Sequence, residues 1–350
     1  MEVLTNMDLK LNFACDYTRG AHPNILQRLV ETNMMQTAGY GVDEITESAR
    51  NRIRKACLCE QAVVEFLVGG TQTNAVIIDA LLKSYQGVIA AETGHIHVHE
   101  AGAIEARGHK ILTLPHHLGK LQPGCVEKYL EDYYHDENRA HMVLPGMIYL
   151  SHPTEYGTLY SKEELTAFRK LCDQYGLSLY VDGARLAYAL ACHENDITLP
   201  VLAALCDAFY IGGTKCGALF GEAVVVPESQ RIPHLFTIIK QHGALLAKGR
   251  LLGLQFDVLF RDDLYIKIGV PAITAAERIR LALREKGYPL YFESPTNQIF
   301  CIINNDVLES WKEKIAYSFW EKYDEMHTVI RLATDWGTTD VETQALIDIL

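Results

Sequence analysis

Short apolar runs alternate with helical patterns through about the first two thirds of the 350-residue chain. This alternation is typical of βαβ units, in which each strand of a parallel sheet is followed by a helix that packs on it. One helix-to-strand step is clear in the sequence. The segment Ser161-Lys-Glu-Glu164 predicts a capping box at a helix start, the helix runs to about Tyr175, and residues 177–181 follow as a strand. We therefore predict an α/β fold with a mostly parallel sheet.

The other elements are predicted from the same hydrophobic periodicity. The predicted strands cover residues 62–68, 87–91, 147–150, 208–211, 218–226 with an interruption at Gly221, 298–303 and 329–333. The predicted helices cover residues 44–57, 73–82, 184–191, 271–286 and 308–323. The helices become longer after about Gly253. We predict an N-terminal arm over residues 1–20, a large domain over 21–253 and a small C-terminal domain over 254–350.

Charge, hydropathy and cysteine usage restrict the partners and the location that we expect. The formal net charge of −12 would repel a nucleic acid backbone, so we expect no nucleic-acid partner. No segment approaches the roughly 20 consecutive apolar residues of a membrane span, and the start, MEVLTNMDLKLNF, does not resemble a signal peptide. Nine cysteines without regular spacing favour reduced thiols. We therefore expect a cytoplasmic protein with no membrane partner.

The turn Gly69-Gly70-Thr71 follows a predicted strand and opens a helix. The free N–H groups at such a helix start can bind a phosphate, although glycines are also common in ordinary tight turns. The sequence around this turn fits neither the P-loop nor the dinucleotide-binding fingerprint. An NTPase or a dinucleotide-dependent enzyme is therefore not supported.

Two charged residues follow later strands. Asp182 stands directly after one of them, where a half-buried carboxylate needs a cationic partner. That partner could be the protonated pyridine nitrogen of a bound cofactor, or Arg185 in an ordinary salt bridge. Lys215 ends the turn Gly212-Gly213-Thr214-Lys215, where a partly desolvated amine would react with aldehydes. The ordinary alternative for Lys215 is a solvated loop lysine.

The order of these motifs along the chain resembles that of the fold type I enzymes that use pyridoxal 5′-phosphate (PLP). The closest resemblance is to the threonine aldolase group of the β-eliminating lyase family. V-D-G-A-R-L around Asp182 and R-L-A-T-x-W from Arg331 are the specific motifs, whereas G-G-T and an early G-Y-G are weak. The resemblance covers nearly the whole chain. It implies a fold type I PLP-dependent transferase-like fold, with a smaller C-terminal α+β domain.

The resemblance also implies a role for each matching residue. Lys215 would bind PLP as a Schiff base, Asp182 would bond its pyridine nitrogen, and His95 would stack on its ring and assist proton transfer. The full cofactor-binding set that we expect is Gly70, Thr71, Gln72, His95, Asp182, Thr214, Lys215 and Arg250. In this set Arg250, like Lys248, resembles basic residues that reach the phosphate of a neighbouring subunit.

Arg185 and Arg331 match the two arginines that bind the substrate carboxylate in the family, a task suited to a planar, bidentate guanidinium. The chain departs from the family pattern at the position of the expected catalytic base. Many members carry a histidine in the loop after strand 147–150, whereas this chain has Glu155 there, with His152 nearby. The base therefore stays open among His95, His152 and Glu155.

The lysine turn is a second departure from the family. It reads G-G-T-K-C instead of the usual S-x-S-K-G, so that Cys216 stands beside the Schiff base. His95, His97 and His99 would share one face on a strand, but the chain has no H-E-x-x-H or C-x-x-C pair, and we predict no metal site.

The function implied by the resemblance is retro-aldol cleavage of a β-hydroxy-α-amino acid, such as threonine or allo-threonine, to glycine and an aldehyde. The alternatives are β-elimination or transamination of another amino acid, since the same cofactor supports both. A further alternative is a catalytically silent homologue that binds PLP or an amino acid. The expected partners are a small amino acid substrate and further copies of the chain, as a homodimer or homotetramer.

Overall fold

The computed structural model describes residues 10–350, so the first nine residues of the predicted arm lie outside the described residues. Within this range the strands are β1 Leu11–Asn12, β2 Val63–Leu67, β3 Gln86–Ala91, β4 Ile111–Leu114, β5 Leu144–Ser151, β6 Ser178–Asp182, β7 Ala208–Gly212, β8 Glu222–Val226, β9 Gln298–Asn304, β10 Ile315–Ala316, β11 Ser318–Lys322 and β12 His327–Ala333.

The α-helices of the same range are α1 Pro23–Thr32, α2 Glu44–Ala56, α3 Gly70–Leu81, α4 His95–Val98, α5 Pro123–His135, α6 Lys162–Tyr175, α7 Leu186–Ala191, α8 Leu199–Leu205, α9 Leu235–Gln241, α10 Arg250–Leu259, α11 Leu264–Lys267, α12 Val270–Glu285, α13 Asn305–Trp311 and α14 Asp340–Ile349. Short 3₁₀ turns occur at Glu105–Arg107, Arg139–His141 and Ser229–Arg231. No helix of residues 10–350 has both the length and the apolar character needed to cross a membrane.

A seven-stranded sheet forms the centre of the molecule, in the order β2-β8-β7-β6-β5-β3-β4. Neighbouring strands from β7 to β4 are parallel, and only β8 runs antiparallel to its neighbours β2 and β7. Alternate side chains enter two different cores, for example Leu179 and Val181 on one face and Tyr180 on the other. This arrangement confirms the predicted α/β class and the mostly parallel sheet.

The carboxyl ends of β5, β6 and β7 lie side by side at one edge of this sheet. Ser151 pairs with Asp182 in register, and the Gly212 N–H donates to the Gly183 carbonyl oxygen at 3.0 Å. A methyl group on Gly183 would stand 2.1 Å from the Tyr210 carbonyl oxygen, so β6 and β7 can approach this closely only with glycine there. In open parallel sheets, ligands bind at this edge.

A smaller antiparallel sheet, β11-β12-β9, lies in the C-terminal part of the chain. Its core contains residues of α12 and α14, such as Ile279 and Leu346, and also Phe13 from the N-terminal segment. Strand β1 pairs with β10 in the same region. Helix α10 continues through residue 253, so the predicted domain boundary falls inside a helix. The exact extent of the two domains stays a prediction.

Two element predictions are wrong. Residues 308–323 are not one helix, because α13 ends at Trp311 and the aromatic segment that begins at Ser318 pairs with β12. The strand predicted over 218–226, with an interruption at Gly221, begins only after that glycine, at Glu222, and Gly221 has a φ of +114°, which favours glycine. The capping box at Ser161 is confirmed, since Ser161 and Glu164 bond each other's backbone N–H groups.

Candidate active site

A cavity of about 270 Å³ lies where the carboxyl ends of β5, β6 and β7 face the start of α3. The structure brings eight of the residues predicted for the site to its wall: Gly70, Thr71, His95, Glu155, Asp182, Arg185, Thr214 and Lys215. These residues come from five separate segments of the chain. The motifs that the sequence suggested at strand ends therefore converge on one cavity.

Lys215 lies half-buried on the cavity wall in the turn between β7 and β8. Burial lowers the pKa of the Lys215 amine, and the nearby charge of Arg185 lowers it further. The carbonyl of Lys215 accepts a hydrogen bond from the Tyr188 hydroxyl at 2.5 Å, which fixes the turn. The amine is therefore held at the cavity with an increased uncharged fraction, as a nucleophile toward an aldehyde requires.

Glu222 supports the lysine turn from behind. Its two carboxylate oxygens accept hydrogen bonds from the Gly213 N–H at 2.9 Å and from the Thr214 hydroxyl at 2.8 Å. Burial raises the pKa of Glu222 to about 7. Cys216, next to the lysine, is fully buried, and burial raises the pKa of its thiol to about 12, so that this thiol stays uncharged near neutral pH.

Asp182 lies at the cavity floor within a dense hydrogen-bond network. It accepts hydrogen bonds from the Tyr149 hydroxyl at 2.6 Å, the Asn74 amide at 3.1 Å and the Ala184 N–H at 3.0 Å. Burial alone would raise the pKa of Asp182, but the charge of His95 and the bond from Tyr149 outweigh it, and the pKa lies below its ordinary value. Asp182 is thus an ionised carboxylate, able to accept a proton-bearing ring nitrogen.

The salt bridge between Asp182 and Arg185, considered from the sequence, does not form. Arg185 instead pairs with Asp16, through Nε at 2.6 Å and Nη2 at 3.0 Å. Burial alone would raise the pKa of Asp16, but the charges of Arg185 and Lys215 hold it well below its usual range. Asp182 is left without an arginine partner, which leaves its charge available to a ligand.

His95 begins the short helix α4 after β3, and its ring lies at the cavity. The ring bonds Glu100 through Nδ1 at 2.7 Å. Because His95, His97 and His99 lie in and just after a helical turn, they do not share the face of a strand. Among residues 10–350, no group of three or more His, Cys, Asp or Glu side chains is arranged to bind a metal ion.

The two other candidate bases lie in different surroundings. Glu155 faces the cavity and accepts hydrogen bonds from the backbone N–H of His95 at 2.9 Å and from the Ser151 hydroxyl at 2.7 Å. Burial raises the pKa of the Glu155 carboxyl. His152 is 1% exposed, and its ring nitrogens bond Asn195 and the Tyr160 N–H. Burial lowers the pKa of His152 to about 4. His152 therefore belongs to the loop packing and not to the cavity wall, which corrects its place among the candidate bases.

The start of α3 provides three backbone donors. The N–H groups of Gly70, Thr71 and Gln72 precede the first intrahelical bond of α3, which Thr73 makes to Gly69. A methyl group on Gly70 would stand 3.1 Å from the Tyr210 hydroxyl, so the glycine keeps the backbone accessible. The Gln72 side chain bonds the Val68 N–H and does not line the cavity. Only the backbone of Gln72 is therefore placed to bind a phosphate.

Two predicted arginines lie outside the cavity wall. Arg331 donates to Gln298 at 3.1 Å and to the Ala14 carbonyl at 3.2 Å, while its buried Nε has no partner among the residues that the structure describes. Burial and the charge of Arg185 lower the pKa of Arg331. The Arg250 guanidinium donates to the backbone carbonyls of Asn33 and Met35. Within this one chain, Arg250 therefore contacts a surface loop and not the cavity.

The cavity fits a phosphorylated pyridine aldehyde. The donors at the helix start suit a phosphate, the buried carboxylate of Asp182 suits a ring nitrogen, and the Lys215 amine suits an aldehyde carbon. The sequence did not reveal Asp16, Glu100, Glu222 or the cavity-lining Tyr17. Asp16 is 169 residues from Arg185, and no local motif marks such a contact. Glu100 lies only five residues after His95, but nothing in the sequence indicated that their side chains bond.

Comparisons with known proteins agree with this geometry. The family model described as beta-eliminating lyase matches residues 12–291. The low specificity L-threonine aldolase of Pseudomonas aeruginosa is 29% identical over 308 residues, which cover 86% of this chain and 87% of that protein. The structure of a Leishmania major threonine aldolase matches with a TM-score of 0.93 and 39% identity, covering 97% of this chain and 98% of the other.

A histidinol-phosphate aminotransferase from Clostridium acetobutylicum matches with a TM-score of 0.72 and 12% identity over 97% of this chain and 98% of the other, which shows the fold alone. These findings confirm the resemblance that the motifs suggested, and with it the fold type I architecture. PLP is the cofactor of these lyases, and the residues at the cavity fit it. The chain belongs to the beta-eliminating lyase family, in its threonine aldolase group, and it is a PLP-dependent enzyme of fold type I.

Proposed function

We propose that this protein is an aldehyde-lyase that cleaves a β-hydroxy-α-amino acid, such as threonine or allo-threonine, to glycine and an aldehyde. The observation that carries the proposal is the convergence of Lys215, Asp182 and His95 on one cavity beside Arg185. The family supports the reaction type, since both relatives described above are named threonine aldolases. When bound, PLP supplies an acceptor for the electron pair that the broken bond leaves on Cα.

The chain itself would hold the cofactor at three points. The N–H groups of Gly70, Thr71 and Gln72, with the Thr214 hydroxyl, would bind its phosphate. Asp182 would hold the proton on its ring nitrogen, because an ionised carboxylate in a buried site stabilises a facing cation. The Lys215 amine would bind its aldehyde carbon.

The substrate carboxylate would be bound by arginine. Arg185 lines the cavity and donates to Asp16 through Nε and Nη2. Its third nitrogen, Nη1, would be the donor to a substrate carboxylate. Arg331 lies close enough to Arg185 for their charges to interact, and its buried Nε donor lacks a partner among the described residues. A carboxylate placed between these two cations would relieve their repulsion and satisfy the free donors.

Two groups at the cavity could accept the proton of the β-hydroxyl group. The His95 ring is one, and the Glu155 carboxylate, whose pKa burial raises, is the other. Glu155 already accepts two hydrogen bonds, from Ser151 and from the His95 backbone. These bonds fix Glu155 beside the His95 ring, and we propose that His95 is the base and that Glu155 orders the surrounding loop.

We also propose that the enzyme is a cytoplasmic homodimer or homotetramer. All nine cysteines lie within residues 10–350 and are unpaired, as expected in a reducing compartment. Val30 and Met34 expose large apolar side chains on and after α1, next to the loop that Arg250 contacts. A second copy that covers this surface would bring Arg250 toward the neighbouring site. Sedimentation velocity would show a single 39.3 kDa species if this proposal is wrong.

The proposed activity can be tested by product analysis. Purified holoenzyme is incubated with L-threonine or L-allo-threonine, and glycine, acetaldehyde, ammonia and 2-oxo acids are measured separately. The proposal predicts equal amounts of glycine and acetaldehyde, and loss of both in Lys215→Ala. Ammonia with a 2-oxo acid would indicate β-elimination, and a 2-oxo acid that requires an amino-group acceptor would indicate transamination. No turnover of any amino acid by a PLP-loaded protein would indicate a silent homologue.

A further inference from the structure

His95 and Glu100 form a buried pair at the edge of the cavity. The two side chains meet because α4 is a single turn, which returns the chain so that His95 Nδ1 and Glu100 Oε1 are 2.7 Å apart. The Glu100 side chain is fully buried, whereas a third of the His95 side chain is exposed toward the cavity. Glu100 therefore lies behind the histidine, on the side away from the ligand.

Glu100 is itself held from the opposite side by α3. The Asn74 amide donates to Glu100 Oε1 at 2.7 Å and to Asp182 Oδ2 at 3.1 Å. The Tyr180 hydroxyl donates to the side-chain oxygen Oδ1 of Asn74 at 2.9 Å, which fixes the orientation of the side-chain amide. The other oxygen, Glu100 Oε2, is buried and has no hydrogen-bond partner within the described part of the chain. Oε1 therefore makes the side-chain contacts of Glu100, one with Asn74 and one with His95.

This arrangement determines which ring nitrogen of His95 carries the proton. Glu100 Oε1 already accepts a hydrogen bond from the Asn74 amide, so it acts as an acceptor and His95 Nδ1 is the donor in the pair. In the neutral ring, Nε2 then has the free lone pair. Within residues 10–350 no protein group bonds His95 Nε2, and the exposed part of the ring faces the cavity.

We propose that Glu100 is a positioning residue that fixes His95 in the Nδ1–H tautomer and stabilises the imidazolium formed during the reaction. This inference rests on the proposed function, in which His95 is the base. The β-hydroxyl proton moves to Nε2, and the O–H bonding pair becomes the second C=O bond of the leaving aldehyde. The Cα–Cβ bond breaks, and its electron pair stays on Cα. Glu100 compensates the positive charge that His95 gains in this step.

Other charged groups also face His95. Asp182 interacts with its charge from β6, Glu155 bonds its backbone N–H from the loop after β5, and the His99 ring lies 5.5 Å away. Asp182 and Glu155 each have another assigned contact, and among the described residues none of the three groups forms a hydrogen bond with the His95 ring. Glu100 is the group whose removal changes the tautomer.

The kinetic test compares Glu100→Gln and Glu100→Ala with the control Glu105→Gln, a change of an exposed glutamate outside the cavity. Gln keeps an oxygen that can accept from Nδ1 but removes the charge, whereas Ala removes both. We expect kcat with L-threonine to fall about 10-fold in Glu100→Gln and about 100-fold or more in Glu100→Ala. KM and PLP affinity should change less than about threefold, and Glu105→Gln should behave as wild type.

The pH profile separates this role from simple damage to the fold. Without the carboxylate the imidazolium is less stable, so the acid limb of kcat/KM should move to lower pH in Glu100→Gln. A protein that has only lost stability would lose activity without moving the limb. An unchanged kcat and an unchanged acid limb in Glu100→Ala would overturn the proposal.

A second measurement is independent of turnover. In NMR spectra of protein labelled with ¹⁵N-histidine, the His95 ring should show a protonated Nδ1 and an unprotonated Nε2. This tautomer should be lost in Glu100→Ala and retained in Glu100→Gln. The spectrum of His95→Gln identifies the resonances. An Nε2–H tautomer in the wild type would contradict the inference. Absence of threonine cleavage with the expected tautomer present would instead refute the proposed function.

Discussion

Loss of Asp16 should lower the stability of the protein strongly, because Asp16 and Arg185 are both buried and the guanidinium would lose its charged partner. Their side chains are 0% and 10% exposed, and two charge-assisted hydrogen bonds of 2.6 and 3.0 Å join them. Asp16→Asn keeps the size of the side chain but leaves the guanidinium without its carboxylate. Removing one partner of a buried pair typically costs about 3–5 kcal/mol, and we expect this reduction in the free energy of unfolding.

The assay is urea unfolding of wild type and variant at one fixed protein concentration, followed by circular dichroism. Asp132→Asn is the matched control, because the Asp132 and Lys128 side chains are 66% and 75% exposed and the change should cost less than about 0.5 kcal/mol. The pKa of Asp16 is lowered below its ordinary value of 3.8, so its contribution is complete above that value and is lost only at lower pH. The difference should therefore be constant from pH 5 to 8. A cost as small as that of Asp132→Asn would refute the reasoning.

Three further predictions concern residues on or near the cavity. Gly183→Ala places a methyl group 2.1 Å from the Tyr210 carbonyl oxygen, so it should lower the free energy of unfolding by about 1–3 kcal/mol or more. The variant should also bind PLP more weakly in a cofactor titration, and wild-type affinity would contradict this packing. The pKa of Glu222 is raised from 4.5 to about 7, so the folded chain binds more protons than the unfolded chain between these values. As the pH rises through this window, the free energy of unfolding of the wild-type apoprotein should fall relative to that of Glu222→Gln. Urea unfolding at pH 5 and 7.5 measures this, and an equal difference between the two proteins at both pH values would refute the prediction. Arg331→Lys loses the planar, two-pronged guanidinium, so KM for threonine should rise about 10-fold with a smaller change in kcat. An unchanged KM in steady-state kinetics would exclude a contact between Arg331 and the substrate carboxylate.

The sequence predicted the parts of the site that are encoded locally. Asp182 and Lys215 each follow a strand of the parallel sheet, and adjacent strands bring their ends together without further information. Gly70 and Thr71 follow β2, which is separated from β7 by the antiparallel strand β8, and they also line the cavity. The family resemblance added Arg185, whose local surroundings had suggested a salt bridge with Asp182.

Contacts between distant segments could not be predicted in this way. Asp16 meets Arg185 only because the N-terminal segment joins the C-terminal core through Phe13. The segment that begins at Ser318 is a strand because β12 is available to pair with it, although its own pattern also fits a helix. His152 was a reasonable candidate base by its position in the sequence, but its ring points into the loop and bonds Asn195.

The central claim of the account is that the Lys215 amine binds the cofactor, opposite the ionised carboxylate of Asp182. The most direct test is reduction of the holoenzyme with borohydride, followed by proteolysis and mass spectrometry of the modified peptide. The account predicts a single pyridoxyl group, on Lys215. A reduced cofactor on another lysine, or a protein that binds PLP without forming a reducible bond, would contradict it.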